Sequence, residues 1–215
     1  MNFYYWFGYH LSRLAGRLLF RFRVIHRERM IQTGPVILAM NHQSYLDPPL
    51  AGSTCDRPIY FLARRTLMDI PLLGRVLPKL NVIPVNQEGV DRSAIKAVIR
   101  VLQAGNGVLV FPEGSRTIDG NLQAAEPGLG LIIAKTLAPV VPMRIFGARD
   151  ALPRGGGRLR LVPKTRFNCR TTTRSTKNRV GRPGESVGRK RESIGATSEI
   201  GRDTQNCSSS SNSPR

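Results

Sequence analysis

Val36-Ile37-Leu38-Ala39-Met40-Asn41-His42-Gln43-Ser44-Tyr45-Leu46-Asp47-Pro48-Pro49 is the stretch on which the reading of this chain turns. A short apolar run with β-branched residues reads as a buried strand, and the polar residues after it land at the strand's end. In α/β proteins, ligands and reacting groups collect there, on loops held by a rigid sheet. A histidine can take and return a proton near neutral pH, and a carboxylate on its second ring nitrogen fixes the tautomer. Five residues of regular helix rotate by roughly 140°, so His42 and Asp47 would not face each other on one helix. Asp47-Pro48-Pro49 resolves this, because proline suits the first helical position and pushes the residue before it out of helical geometry. Asp47 is therefore expected to cap a helix, with His42 in the loop ahead of it. Standing alone, an H-x4-D spacing is more often a capped helix beside a loop histidine than an acid–base pair.

From Pro35 onward strand and helix signals alternate. Apolar runs at 36–40, 59–62, 82–85, 107–111, 140–146 and 159–162 read as strands. Helical patterns lie after Pro48, around 67–80, from Asp91 to Gln103 and across 129–137. The clearest helix has Asp91 as cap, Ile95, Val98, Ile99 and Leu102 on one face, and Gly105 past its end. The alternation predicts an α/β fold: a single domain over 30–163 with a central, largely parallel sheet flanked by helices.

Residues 1–29 have a different character. Met1 to Ser12 contains no Lys or Arg and is crowded with aromatics, and arginines follow at 13, 17, 21, 23, 27 and 29. Drawn as a helix, Phe7, Leu11, Leu14, Leu18, Phe22 and Ile25 line one side, while Arg13, Arg17 and Arg21 repeat along another. Such amphipathic helices lie in the membrane interface. The uncharged part is well short of the ~20 residues that span a bilayer, and no basic leader of a cleavable signal precedes it. The expected location is peripheral or monotopic, on the cytoplasmic face of a membrane. The plainer alternative is a stripe packed on the domain core.

Residues 164–215 are rich in Arg, Ser, Thr, Gly and Asn, with isolated Val and Ile at no consistent period. Such a segment cannot bury enough apolar surface to offset its ordering entropy and is expected to be a disordered basic tail. The net charge of +19 over 215 residues favours anionic partners, whether lipid headgroups, acidic carrier proteins or nucleic acid. With no nucleic-acid motif and no interleaved aromatics, specific nucleic-acid binding is not expected. Cys55, Cys169 and Cys207 are scattered, which argues against a disulfide framework, and with three dispersed histidines they give no metal-ligand spacing. No metal and no resident cofactor are expected.

A second motif changes the weight of the first. Asn41-His42-x4-Asp47 followed downstream by Phe111-Pro112-Glu113-Gly114-Ser115-Arg116 resembles the glycerolipid acyltransferase family, best known for the 1-acyl-glycerol-3-phosphate acyltransferases. Phe61-Leu62-Ala63-Arg64-Arg65 looks like that family's second block and Val140-Val141-Pro142-Met143-Arg144-Ile145 like its fourth, in matching order and spacing. The resemblance covers roughly residues 30 to 163. It implies one more strand and a closing helix beyond this point; the tail that stands there instead reads as a shifted frame or a truncated domain.

The resemblance implies transfer of a fatty acyl group from acyl-CoA or acyl carrier protein, as co-substrate, to the free hydroxyl of a 1-acyl-glycerol-3-phosphate. His42 is the candidate general base and Asp47 the group that orients it. Ser115 is not in a G-x-S-x-G elbow and no cysteine adjoins a motif histidine, so a ternary complex without an acyl-enzyme is expected. Gly114 permits close backbone approach, Ser115 can donate a hydroxyl, and Arg116 offers a planar fork suited to phosphate. The family pattern assigns Arg64, Glu113, Gly114, Ser115 and Arg116 to substrate binding, with Glu113 holding a glycerol hydroxyl or bracing Arg116. Alone, P-E-G-S-R would read as an ordinary turn. Ile83-Pro84-Val85-Asn86-Gln87 departs from the family, which often carries an arginine where Gln87 stands, and leaves other lysolipid acceptors open. The competing reading is a catalytically inactive basic protein that binds membranes or nucleic acid.

Overall fold

A computed structural model of the chain describes residues 2–86, 91–154, 159–160 and 168–171. Seven strands form one sheet: β1 Arg23–Ile25, β2 Val36–Met40, β3 Ile59–Arg64, β4 Val82–Val85, β5 Gly107–Val110, β6 Val140–Ile145 and β7 Asn168–Thr171, in the order β1-β7-β6-β2-β5-β3-β4. From β6 to β4 every pair is parallel. β7 lies antiparallel on β6, and β1 runs parallel to β7. Six helices accompany them: α1 Phe3–Phe20, α2 Asp47–Gly52, α3 Pro71–Val76, α4 Arg92–Gln103, α5 Pro127–Thr136 and α6 Ala148–Ala151.

The unbroken apolar run of β2 is explained by burial on both faces. Leu38 and Met40 join Ile59, Leu109, Val141, Met143 and Ile145 on one face, against Leu50 and Ala51 of α2, Ala148 and Ala151 of α6, and Phe20 and Phe22. Ile37 joins Val108 and Val110 on the other, under Val98 and Leu102 of α4 and Ile132 of α5. Val36, Ile37 and Leu38 are at most 1% exposed. Each such side chain contributes about 1.5–3 kcal/mol by leaving water, so β2 is the hub of the sheet. It lies between β5 and β6, and the carboxyl ends of β2, β3, β5 and β6 share one edge.

The Asp91 cap forms as the sequence predicts, its Oδ1 accepting the Ser93 and Ala94 N–H groups. These bonds, with those from the Ser93 hydroxyl and the Asn86 amide, hold its carboxyl well below the ordinary carboxylate range. Over 67–80 a single helix is replaced by α3 between two 3-10 turns, Arg65–Asp69 and Leu77–Leu80. Pro71 and Pro78 each lack the N–H that a continuous helix would use there.

At the N-terminus the helical reading holds only to Phe20. Arg21 takes a left-handed conformation, φ 49°, and the Phe22 N–H closes on the Gly16 carbonyl at 2.8 Å. Phe22 is thereby turned into the core, and Ile25 belongs to β1, not to a helical stripe. Tyr5, Gly16 and Phe20 are the buried residues of α1. A Cβ on Gly16 would come within 3.0 Å of Leu50 Cδ2, so glycine is what lets α1 approach α2. Phe3, Phe7, Leu11, Leu14 and Leu18 lie on the opposite side of α1 and are exposed, which excludes packing of that stripe on the core. No helix among the described residues is long and apolar enough to cross a membrane.

One part of the expected disordered tail is corrected. Residues 168–171 form β7, in register Met143↔Thr171 and Ile145↔Cys169 with β6. Backbone pairing along an open strand edge needs no apolar run, so the composition of the segment hid it. The expected strand at 159–162 is not formed at 159–160, and 161–162, like the rest of the tail and Gln87, lie outside the described residues.

Candidate active site

The chain leaves β2 at Asn41, which is buried and bonded both ways to the backbone of Ile145 at the end of β6. His42 follows in the loop. Its N–H donates to Glu113 Oε1 at 3.3 Å, and its carbonyl accepts the Thr117 N–H at 2.8 Å. The imidazole lies flat on Phe111, ring centroids 3.9 Å apart and planes at 15°. Nδ1 is 2.9 Å from Asp47 Oδ2.

Asp47 is 0% exposed. Its expected place as helix cap is corrected: Leu46 holds that position, and Asp47 is the first residue of α2. The carboxylate turns back into the loop, where Oδ2 also accepts the N–H groups of Gln43 at 2.6 Å and Ser44 at 2.7 Å. The prolines give the reason. A capping side chain needs the second or third amide of its helix. Here Pro49 has none, and the Leu50 N–H is taken by the Leu46 carbonyl. With Oδ2 accepting three N–H groups, Nδ1 of His42 is the donor, and the lone pair is left on Nε2. The imidazole is therefore set up to take a proton through Nε2 while Asp47 steadies the charge that results. Ser44 secures the loop from behind, its Oγ donating to the Leu152 carbonyl at 2.7 Å.

The second motif leaves β5. Gly114 has φ 65°, its N–H closes a turn onto the Phe111 carbonyl at 3.0 Å, and a Cβ would meet Glu126 Cγ at 3.0 Å. The left-handed conformation is what favours glycine here. Glu113 is buried. Among the described residues no ion pair joins it to Arg116, and its Oε1 accepts the His42 N–H. Among the described residues its Oε2 has no hydrogen-bond partner. The Arg116 guanidinium lies over the Tyr45 ring, 3.5 Å from its centroid, and its buried Nη1 has no partner. Ser115 is half-buried. Beyond it Thr117 is buried and organises a turn in which Asp119 accepts bonds from the Thr117 hydroxyl and from the Asn121 amide and side chain. Led by the Asn121 amide, these bonds lower the Asp119 carboxyl to about 2.

The structure thus brings His42, Asp47 and Glu113 into one bonded cluster, with Arg116 reaching the same loop through Tyr45. Arg64 ends β3 at the same edge of the sheet but is exposed, and its side chain makes no hydrogen bond or ion pair with the others. Asn41, Tyr45 and Thr117 were not among the expected site residues. Asn41 and Tyr45 stand inside the first motif, and only that position hinted at a role. Among the described residues no group of three or more His, Cys, Asp or Glu could hold a metal ion.

Comparison with known proteins gives the family of the chain. The family model described as acyltransferase matches residues 21–146. The chloroplastic 1-acyl-sn-glycerol-3-phosphate acyltransferase of Brassica napus is 32% identical over 124 residues, which is 56% of this chain and 36% of the relative. The lyso-ornithine lipid O-acyltransferase of Pseudomonas aeruginosa is 28% identical over 144 residues, 66% of this chain and 54% of that protein. The crystal structure of the 1-acyl-sn-glycerophosphate acyltransferase PlsC from Thermotoga maritima superposes with a TM-score of 0.61 at 26% identity, covering 77% of this chain and 66% of that one. The match therefore spans between about a third and a half of these two curated relatives. The family match over more than half its length places this chain in the acyltransferase family.

Proposed function

We propose that this chain transfers an acyl group from an acyl thioester to the free hydroxyl of a 1-acyl-glycerol-3-phosphate, with His42 as general base. The observation that carries the reading is the 2.9 Å bond between His42 Nδ1 and the fully buried Asp47. Nε2 takes the proton of the acceptor hydroxyl as its oxygen attacks the thioester carbonyl. The C–S bond then breaks, and the imidazolium returns the proton to the departing thiolate. A base so placed contributes ~10²–10⁴-fold in rate, and no covalent acyl-enzyme is required. Arg116, with an unpartnered buried Nη1, supplies donors for the acceptor phosphate. Gly114 and Ser115 would shape the same pocket, and Arg64 would contribute positive charge at its rim. Glu113 acts by holding the His42 backbone.

The exposed stripe on α1, flanked by Arg13 and Arg17, is read as the surface that meets the membrane from which a lysolipid is drawn. Acyl-CoA and acyl carrier protein both remain as donors, and the cytoplasmic leaflet is the compartment that supplies either. The likeness to a lyso-ornithine lipid acyltransferase favours one second reading, an acceptor without phosphate.

The test is incorporation of radiolabelled acyl groups by purified full-length protein, with both donors and a panel of lysolipids. His42→Ala should abolish transfer while circular dichroism stays unchanged. Near-normal transfer by that variant would remove His42 from the chemistry. Transfer to lyso-ornithine lipid in preference to lysophosphatidate would establish the second reading.

A further inference from the structure

We propose that Tyr45 is a positioning residue for acceptor binding, its ring holding the Arg116 guanidinium so that the charge and the N–H donors of that side chain stay available to an anionic headgroup. The proposal rests on the reading of Arg116 as the phosphate contact. Tyr45 stands between His42 and Asp47 in the first motif and Arg116 closes the second, so this contact joins the two loops at the mouth of the site.

An arginine that must be kept in place is commonly held by a carboxylate. That would occupy its fork and cancel its charge. The nearest carboxylates in sequence, Glu113 and Asp119, are engaged elsewhere, Glu113 by the His42 N–H and Asp119 by Thr117 and Asn121, and no ion pair to Arg116 is present among the described residues. Tyr45 offers a π face instead. A ring attracts a guanidinium lying over its face, whereas the guanidinium donates its hydrogen bonds within its own plane. The two do not compete. Arg116 is therefore restrained on one face, and among the described residues its buried Nη1 has no hydrogen-bond partner. The backbone at this point is fixed as well, because Arg154 Nη1 donates to the Arg116 carbonyl at 2.7 Å. Ordering a long side chain before the ligand arrives removes part of the entropy cost of binding. The tyrosine ring is 54% exposed, so it is not retained for filling the core.

The experiment measures acceptor KM and kcat for 1-oleoyl-glycerol-3-phosphate with the full chain, Tyr45→Ala, Tyr45→Phe, Arg116→Ala and the double alanine variant. Equilibrium binding of the same lysolipid below its micellar concentration serves as a second readout that does not require turnover. Tyr45→Ala should raise KM and Kd roughly three- to tenfold, in the range that a guanidinium–ring contact supplies. Its kcat and its KM for the thioester should change less than twofold, and Tyr45→Phe should restore the parent values. In the Arg116→Ala background, Tyr45→Ala should add nothing further. If Arg116→Ala weakens acceptor binding and Tyr45→Ala does not, the role of Tyr45 is wrong and the phosphate reading stands. If Arg116→Ala leaves acceptor binding unchanged, the phosphate reading itself fails and takes this proposal with it. A fall in kcat together with melting temperature, without a change in Kd, would make Tyr45 a brace of the His42 loop and overturn the proposal.

Discussion

The Asn41 carboxamide and the backbone of Ile145 close a ring of two hydrogen bonds, Nδ2 donating to the carbonyl at 3.1 Å and Oδ1 accepting the N–H at 2.8 Å. The pair ties the carboxyl ends of β2 and β6 together one residue before His42, so the position of the imidazole depends on it. Asn41→Ala leaves a buried N–H and a buried carbonyl unpaired, at about 1–3 kcal/mol each. A loss of roughly 2–6 kcal/mol is expected from denaturant titration. Asn41→Asp keeps the acceptor but sets a carboxylate against the Ile145 carbonyl, and should be at least as unstable. An unchanged midpoint for Asn41→Ala would mean that water replaces the carboxamide and the strand ends are held elsewhere.

Asp47→Asn separates shape from charge. The side-chain oxygen can still accept from Gln43 and Ser44, so the loop and the helix behind it should survive. What is lost is the full negative charge beside Nδ1, which stabilises the imidazolium as a proton arrives on Nε2. Turnover should fall by about 10²–10⁴, with a melting curve close to the parent. A kcat within tenfold of the parent would show that the carboxylate only builds the loop.

The five mutually parallel strands β2 to β6 were legible because each is a run of apolar residues that the sheet must bury on one or both faces, and the capped pattern of α4 is written out in full. β1 and β7 were not. Arg23-Val24-Ile25 and residues 168–171 are held by backbone pairing beyond β6, and no periodicity marks them. In the site, the prolines after Asp47 announced that His42 and Asp47 could meet. They did not reveal that the carboxylate would turn backward, because that depends on which amides are left unpaired. Glu113 and Arg116 were found by motif, but their contacts within the protein were not. Glu113 meets His42, and Tyr45 meets Arg116, only because β2 and β5 are neighbours in space. That adjacency is tertiary information that no local spacing contains.

Tyr5 gives α1 a measurable alkaline limit. Its hydroxyl accepts the Ile59 N–H at 3.0 Å, and burial pushes its pKa up to about 12. An unfolded tyrosine loses its proton near 10. Below that pH both states are protonated and the contribution to stability is constant. Between about 10 and 12 the unfolded state releases a proton that the folded state retains, so stability falls as pH rises. Tyr5→Phe should flatten this alkaline limb relative to the parent. At neutral pH it should cost about 1–3 kcal/mol, because the Ile59 N–H loses its acceptor. Urea midpoints measured from pH 7 to 12 decide it, and parallel limbs for the two proteins would show that Tyr5 does not titrate with unfolding.

Leu14 and Leu18 test which way α1 faces. They are 56% and 72% exposed, on the side of the helix away from Tyr5, Gly16 and Phe20. Replacing them by Glu therefore removes no packing, and Leu14→Glu and Leu18→Glu should melt within about 0.5 kcal/mol of the parent. If this stripe enters the headgroup region, each leucine contributes about 1.5–3 kcal/mol of apolar transfer. Each substitution should then weaken sedimentation with anionic phospholipid vesicles by at least roughly tenfold. Arg17→Ser should weaken it less and flatten its dependence on salt, since an arginine near a charged leaflet contributes about 1 kcal/mol that screening removes. Sedimentation that is unaltered by either glutamate would mean that the membrane is met by another surface of the protein.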